Sequence, residues 1–314
     1  MTGLLVLKER LKEFYGKYDI YIDPLFHFVF GLSAVLILNA NIGFMAKLSG
    51  PLAALAAGLI CSFLPYSVGS LLIALLMLVH LFSASMEIAL IVGVLVFIII
   101  LLYCGLQPGN SFLLVLTPMM FFLNVPYVVP LLVGLTGSLT AVIPVSLGAF
   151  MYYILLYIKQ NVGALTGTAA AADITQKYGQ IMKSMLSNQT ALVMIGAFAL
   201  SIVVVYLIKR LSIDYSWYLA IAAGVIAQLA VIFMGDVLFS VSVPLGAMVA
   251  GMLISVLIAL VYTFFAFTVD YSRTEYLQYE DDDYYYYVKA VPKMAVTAPD
   301  VKVQKINSRK KRAE

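Results

Sequence analysis

Residues 85–106 read SMEIALIVGVLVFIIILLYCGL, a stretch whose single formal charge is Glu87. A helix needs about 20 apolar residues to cross a hydrocarbon core about 30 Å thick, so this stretch decides the solvent. The same character extends outward on both sides, because Glu87 is the only formal charge between Lys47 and Lys159. Of the 314 residues, 63% are apolar and 11% charged, against roughly 45–50% and about 25% in soluble domains. A water-soluble globular enzyme is excluded. Charge is pushed to the ends: residues 1–47 hold five Lys/Arg and four Asp/Glu, residues 270–314 hold nine and eight, and the 222 between them hold five and four.

The fold class is therefore all-α. The chain reads as a polytopic α-helical membrane protein with six to ten transmembrane or half-membrane helices, several of them broken by proline, and a short cytoplasmic tail with β-strand character. Ten apolar segments follow Pro24: 25–46, 51–64, 66–83, 85–106, 111–123, 126–140, 142–158, 190–210, 215–235 and 244–269. Segments 51–64, 111–123 and 126–140 are too short to cross alone, and Pro51, Pro65, Pro118, Pro126, Pro130 and Pro144 punctuate this part of the chain. Such pieces read as re-entrant or broken helices, since backbone groups freed within hydrocarbon must be satisfied by protein or cavity water.

Three regions result: an amphipathic interfacial helix over 1–23, a transmembrane domain over 24–269 with an external loop at 159–189, and a tail over 270–314. In the first, Leu4, Leu7, Leu11, Phe14 and Tyr18 recur at helical spacing, with Lys8, Glu9, Arg10, Lys12, Glu13 and Lys17 on the other faces. That pattern suits the lipid interface. A charged start without a small-residue cleavage site is not that of a cleaved signal peptide. The Lys/Arg bias puts both termini and the Lys209-Arg210 pair in the cytoplasm of a cell-membrane protein. The 159–189 loop is weakly helical through Ile174, Tyr178, Ile181 and Met185, and Asn188-Gln189-Thr190 matches a glycosylation sequon abutting the next span.

Ionisable groups within spans are costly and mark functional candidates. His80 and Glu87 flank a turn-like Ser83-Ala84-Ser85, and Asp236 is placed to end a span. Asp214, beside Tyr215 and Trp217, reads as an interfacial anchor facing Lys209-Arg210. Asn124, Gln107 and Gln228 suit helix-to-helix hydrogen bonds or a polar path. Pro65-Tyr66 and Pro126-Tyr127 open similar heptapeptides, each after a Phe-Leu pair, with an odd number of segments between them. Inverted repeats with paired broken helices have that arrangement. Ala247, Gly251 and Ser255 form a small-residue stripe suited to helix packing, within the chain or across a homo-oligomer.

Catalytic signatures are missing: there is no phosphate loop, no H-E-x-x-H, no G-x-S-x-G, and only two histidines. No enzyme activity, cofactor or metal is expected, and Cys61 and Cys104 form neither a C-x-x-C pair nor a disulfide framework. ATP-driven work would need a separate ATPase subunit. A net charge of +3, carried at the ends, does not suggest nucleic acid. The partners expected are the bilayer and a cytoplasmic protein. For the latter the tail offers Tyr279, Asp281, Asp282, Asp283, Tyr284, Tyr285, Tyr286 and Tyr287, with a strand over 283–291 to pair with 301–306 or a partner's sheet edge. The basic end, Arg309-Lys310-Lys311-Arg312, suits anionic lipid.

Phe14–Tyr21 (FYGKYDIY), Asn39–Gly43 (NANIG), Arg210–Tyr215 (RLSIDY), Val269–Tyr276 (VDYSRTEY) and the tail run EDDDYYYYVKAVPK are similar to an uncharacterised family of bacterial multi-pass membrane proteins often labelled ABC transporter permeases. The resemblance covers nearly the whole chain and implies a permease-like component. Two readings follow. In one, the protein is transport-related, with a path through Pro65, Tyr66, His80, Glu87, Asn124, Pro126 and Tyr127. In the other, it is a non-transporting scaffold that recruits a cytoplasmic partner through the tail.

Overall fold

Tyr18 adopts φ −124° and ψ 23°, outside the helical region, and bends the first helix, α1 (Thr2–Ile42), at the end of its amphipathic stretch. The computed structural model describes residues 2–106, 108–165, 179, 183, 187–241, 243–267 and 269–293. Residues 19–267 form one compact unit; residues 1–18 and 268–314 form a second. α1 thus runs unbroken through the expected boundary at 23/24. In the second unit Leu4, Leu7, Leu11 and Phe14 are exposed, as a lipid-facing stripe requires, whereas Lys8 is buried rather than solvated.

In the larger unit, α1 is followed by α2 (Pro51–Ser62), α3 (Tyr66–Ala84), α4 (Met86–Leu106), α5 (Phe112–Phe122), α6 (Val128–Thr136), α7 (Val142–Leu165), α8 (Gln189–Lys209), α9 (Ser216–Phe239) and α10 (Leu245–Ala266). Six described helices are long and apolar enough to cross a membrane: α1, α3, α7, α8, α9 and α10. The chain is a multi-pass helical membrane protein. α7 continues seven residues into the expected 159–189 loop, to Leu165, and α9 runs past Asp236 to Phe239, so Asp236 does not end that span. The weak helix expected over 174–185 lies outside the described residues, apart from Gly179 and Lys183.

Contacts fix the direction of each helix. Taking the end where α1 leaves Asp19 as proximal, α2 returns antiparallel to α1, with Gly58 against Phe28 and Leu32 and Ser62 Oγ donating to the Pro24 carbonyl at 3.1 Å. α3 goes back out, from Tyr66 beside His27 to His80 beside Met45, and α4 comes in again. The expected turn at 83–85 falls between α3 and α4.

α5 and α6 do something different. Thr117 and Phe121 of α5 meet Gly148 and Tyr152 of α7 in parallel register, and Phe112 lies near Tyr66 at the proximal end. α6 runs parallel to the second half of α8, from Tyr127 on Phe198 to Leu135 beside Lys209. Phe198 and Tyr152 sit halfway along their helices. α5–α6 is therefore a re-entrant hairpin that enters and leaves at the proximal end with its tip at mid-depth. At 11 and 9 residues, its arms are about 17 and 14 Å long, half of a hydrocarbon core. Among the described residues, the six long apolar helices together with α2 and α4 run between the two ends of the bundle around it. The two Pro-Tyr motifs thus open unlike elements, a full-length α3 and a half-length α6, and do not form equivalent half-helices.

α8 and α9 pack antiparallel, and Gln228 Nε2 donates to Ser201 Oγ at 2.9 Å across their buried seam. Ser201 Oγ in turn donates to the Gly224 carbonyl at 3.2 Å. Val205 of α8, fully buried, faces Gly134 of α6 and Gly224 of α9. A Cβ on Gly134 would lie 2.6 Å from Val205 Cβ, and one on Gly224 would collide with Val205 Cγ2. Small residues at such seams let helices approach where no hydrophobic force drives them together. Gly224→Val is expected to destabilise the detergent-solubilised protein by about 1–3 kcal/mol through overpacking, with part of the loss restored by Val205→Ala. Thermal unfolding of the single and double variants measures both, and equal loss in the double variant would contradict the contact.

Candidate functional site

The hairpin tip is Leu123-Asn124-Val125-Pro126-Tyr127. Asn124 has φ 60°, the left-handed region that Asn tolerates better than most side chains. The amides of Leu123, Asn124 and Val125 donate back to the carbonyls of Met119, Phe121 and Met120 at 3.0, 3.0 and 2.9 Å. Irregular backbone at membrane depth must be buried in protein or line a cavity; here Pro126 and Tyr127 are buried, whereas Leu123 and Asn124 are exposed. On one side Gly251 of α10 lies against the Asn124 carbonyl and the Tyr127 ring, where a Cβ would come within 2.7 and 3.3 Å. On the other is a cavity of about 180 Å³ between the tip, the middle of α7 and the distal ends of α8 and α10.

Asn124, Pro126 and Tyr127 line that cavity together with Tyr152 and Tyr153 of α7, Thr190 of α8 and Val243-Pro244-Ala247 at the start of α10. Phe121 stacks on Tyr152 at 4.4 Å between ring centres and meets Tyr153 edge-on at 5.6 Å. Among the described residues the lining carries no Asp, Glu, Lys, Arg or His. Tyr152, Tyr153 and Thr190 were not marked by sequence reasoning. Their only signal is hydroxyl groups inside apolar spans, easily missed because tyrosine counts as apolar.

The remaining path candidates lie elsewhere. Tyr66 packs against His27, Phe30 and Phe112 at the proximal end, and Pro65 is the N-cap of α3. His80 is 1% exposed, and its Nδ1 accepts the Met45 amide at 3.3 Å, tying down the 43–50 loop. Asn39 Nδ2 donates to the Leu48 carbonyl of the same loop at 3.0 Å. Glu87 is half-buried in the first turn of α4, where a helix N-terminus favours negative charge. Gln107 lies outside the described residues. A second cavity, about 100 Å³ between α1, α3, α4, α5 and α7, has Ser70 as its only polar side chain and includes none of the path candidates. Asn188 of the sequon caps α8, its Oδ1 accepting from the Ala191 amide at 3.2 Å.

In the tail, β1 (Glu275–Glu280) pairs antiparallel with β2 (Tyr285–Ala290), so the expected strand over 283–291 pairs with 275–280. Residues 301–306, the expected partner, lie outside the described residues. Asp281 makes the turn: its Oδ1 accepts the amides of Asp283 at 3.0 Å and Tyr284 at 2.6 Å, and its Oδ2 accepts the Tyr286 hydroxyl at 2.8 Å. The Tyr286 hydrogen bond, helped by the two amides, holds the Asp281 carboxyl below its ordinary range, and Asp281 in turn raises the Tyr286 hydroxyl. Tyr276, Tyr284, Tyr285 and Tyr287 remain between 66% and 80% exposed.

No protein-family model matches the chain, and no curated protein or solved structure is significantly similar to it.

Two tests follow from this geometry. Asn124→Gly should keep the fold, whereas Asn124→Val should lower stability by about 1–2 kcal/mol through left-handed backbone strain, read by thermal unfolding. For the tail, a depressed carboxylate stabilises the hairpin above its unfolded value of 3.8 and loses that contribution as pH falls through the lower folded value. The raised Tyr286 contributes below 10.0 and is lost as pH rises through its folded value. The turn should therefore hold at neutral pH and open at both extremes. Asp281→Ala at neutral pH should speed hydrogen exchange over 275–290 while leaving α8 and α9 unchanged.

Proposed function

We propose that this chain is a permease-like, transport-related membrane protein whose path passes the tip of the α5–α6 hairpin. The supporting observation is the tip itself: a half-depth hairpin ending under a cavity lined by Asn124, Tyr127, Tyr152, Tyr153 and Thr190. Broken helices at mid-depth are how many transporters build a solute site, and a scaffold has no need of one. Both termini are assigned to the cytoplasm of a cell membrane. Lys209 and Arg210 lie at the proximal end, where the chain also continues into the basic N-terminal helix and the tail, while Lys47 and Lys159 fall at a distal loop and helix end. The positive-inside bias favours the proximal end. Any ATP coupling belongs to a separate subunit.

The scaffold reading draws on one observation, the tyrosine-rich β-hairpin. Exposed aromatic side chains offer much contact area at low entropic cost, so the tail is the surface on which a cytoplasmic partner, including such a subunit, would dock.

Single cysteines in a Cys61→Ala/Cys104→Ala background test the proposal. Positions 177 and 310 should react with impermeant maleimide from opposite sides of sealed vesicles, and positions 190 and 247 should react from the side of 177. If 190 and 247 are inert from both sides, the cavity has no water access and the permease reading falls.

A further inference from the structure

Resting on that reading, we infer that the cavity above the hairpin tip selects a small uncharged solute bearing a hydroxyl or amide group on an aromatic or apolar body. Three features of the site combine to select it.

The first is the absence of any counter-charge. Among the described residues nothing ionised at neutral pH lines the cavity, and an unpaired charge brought to such a site loses its hydration without compensation. The second is how the backbone ends there. α5 finishes and α6 begins at the tip, so the partial negative charge of one helix end meets the partial positive charge of the other. The hairpin tip itself therefore supplies no net field, and the first turns of α8 and α10 beside the cavity, at Thr190 and Ala247, add only partial positive charge, which disfavours a cation. The third is the balance of surfaces. Phe121, Tyr127, Tyr152 and Tyr153 supply rings, while the Asn124 amide, the Thr190 hydroxyl and the tyrosine hydroxyls supply donors and acceptors. An apolar body is met by the rings, and a hydroxyl or amide is met by side chains able to donate and accept hydrogen bonds. At about 180 Å³, the space is below the roughly 300–1,000 Å³ of drug-sized sites, which limits the solute to a small molecule.

A para-substituted phenol series provides the test: p-cresol, p-hydroxybenzoate and tyramine share a ring and hydroxyl but are neutral, anionic and cationic at neutral pH. Binding is measured by equilibrium dialysis against full-length protein in nanodiscs, with empty nanodiscs subtracted. Saturable p-cresol binding is expected, about tenfold or more tighter than either charged analogue, and weakened about tenfold in Tyr127→Phe/Tyr153→Phe, which keeps both rings. An unchanged unfolding midpoint verifies that the double variant is folded; if it is not, Thr190→Val replaces it, with the same expectation. The inference is overturned if a charged analogue binds as tightly as p-cresol, if no probe binds saturably, or if the folded variant binds p-cresol like the parent. These outcomes separate from failure of the permease reading. Labelling at 190 and 247 without p-cresol preference leaves the path and removes the solute class, whereas p-cresol binding without labelling leaves a solute site and removes the path.

Discussion

The structure depends on the close approach of three helices at Val205. With glycine facing it from α6 and from α9, a β-branched side chain with little rotamer freedom becomes a fixed wedge, and the three backbones come together around it. That contact holds α6, a helix of nine residues that could not persist alone. One turn further along α8, Lys209 Nζ donates to the carbonyls of Leu135 and Gly137 at 2.9 and 3.3 Å, supplying the exposed C-terminus of α6 with a cation. The re-entrant hairpin is thus a feature of α8 as much as of its own residues. The tip, the cavity and the placement of Asn124 and Tyr127 all follow from that support.

The same rule governs the other irregular segment. The 43–50 loop folds against α1 and α3, and its polar groups are met by Asn39, His80 and by Ser49, whose Oγ donates to the Gly43 and Met45 carbonyls. A histidine inside a span invites a proton-carrying role. Here its ring nitrogen is engaged by a backbone amide, a use that helps a short α2 complete a crossing. The two short elements α2 and α5 therefore have opposite outcomes: one traverses with the help of a folded loop, and the other turns back.

That contrast explains how much was legible in the sequence. Segment 51–64 became α2 and segment 111–123 became α5 with little change, because Pro51 and the break at 123–127 mark helix ends by geometry that any context must obey. Which of the two would turn back was not legible. It is decided by Val205, Lys209, Gly134 and Gly224, residues unremarkable in their own segments. The cavity was half legible: Asn124, Pro126 and Tyr127 stood out as a polar and proline break, whereas Tyr152 and Tyr153 sat inside an unbroken apolar run. In the tail, Tyr285–Ala290 is strand-like by composition, but its partner, EYLQYE, is not, and only the Asp281 turn brings it into register.

The Lys209 contact also sets a clock on biogenesis. Lys209 is 74 residues beyond Leu135, and at a synthesis rate of about 5–20 residues per second the ribosome needs roughly 4–15 s to make that interval. Until α8 arrives, α6 has neither its cation nor its wedge. The contacts that hold α6 are consequently complete only after α8 has been made, although the hairpin itself is made before α7.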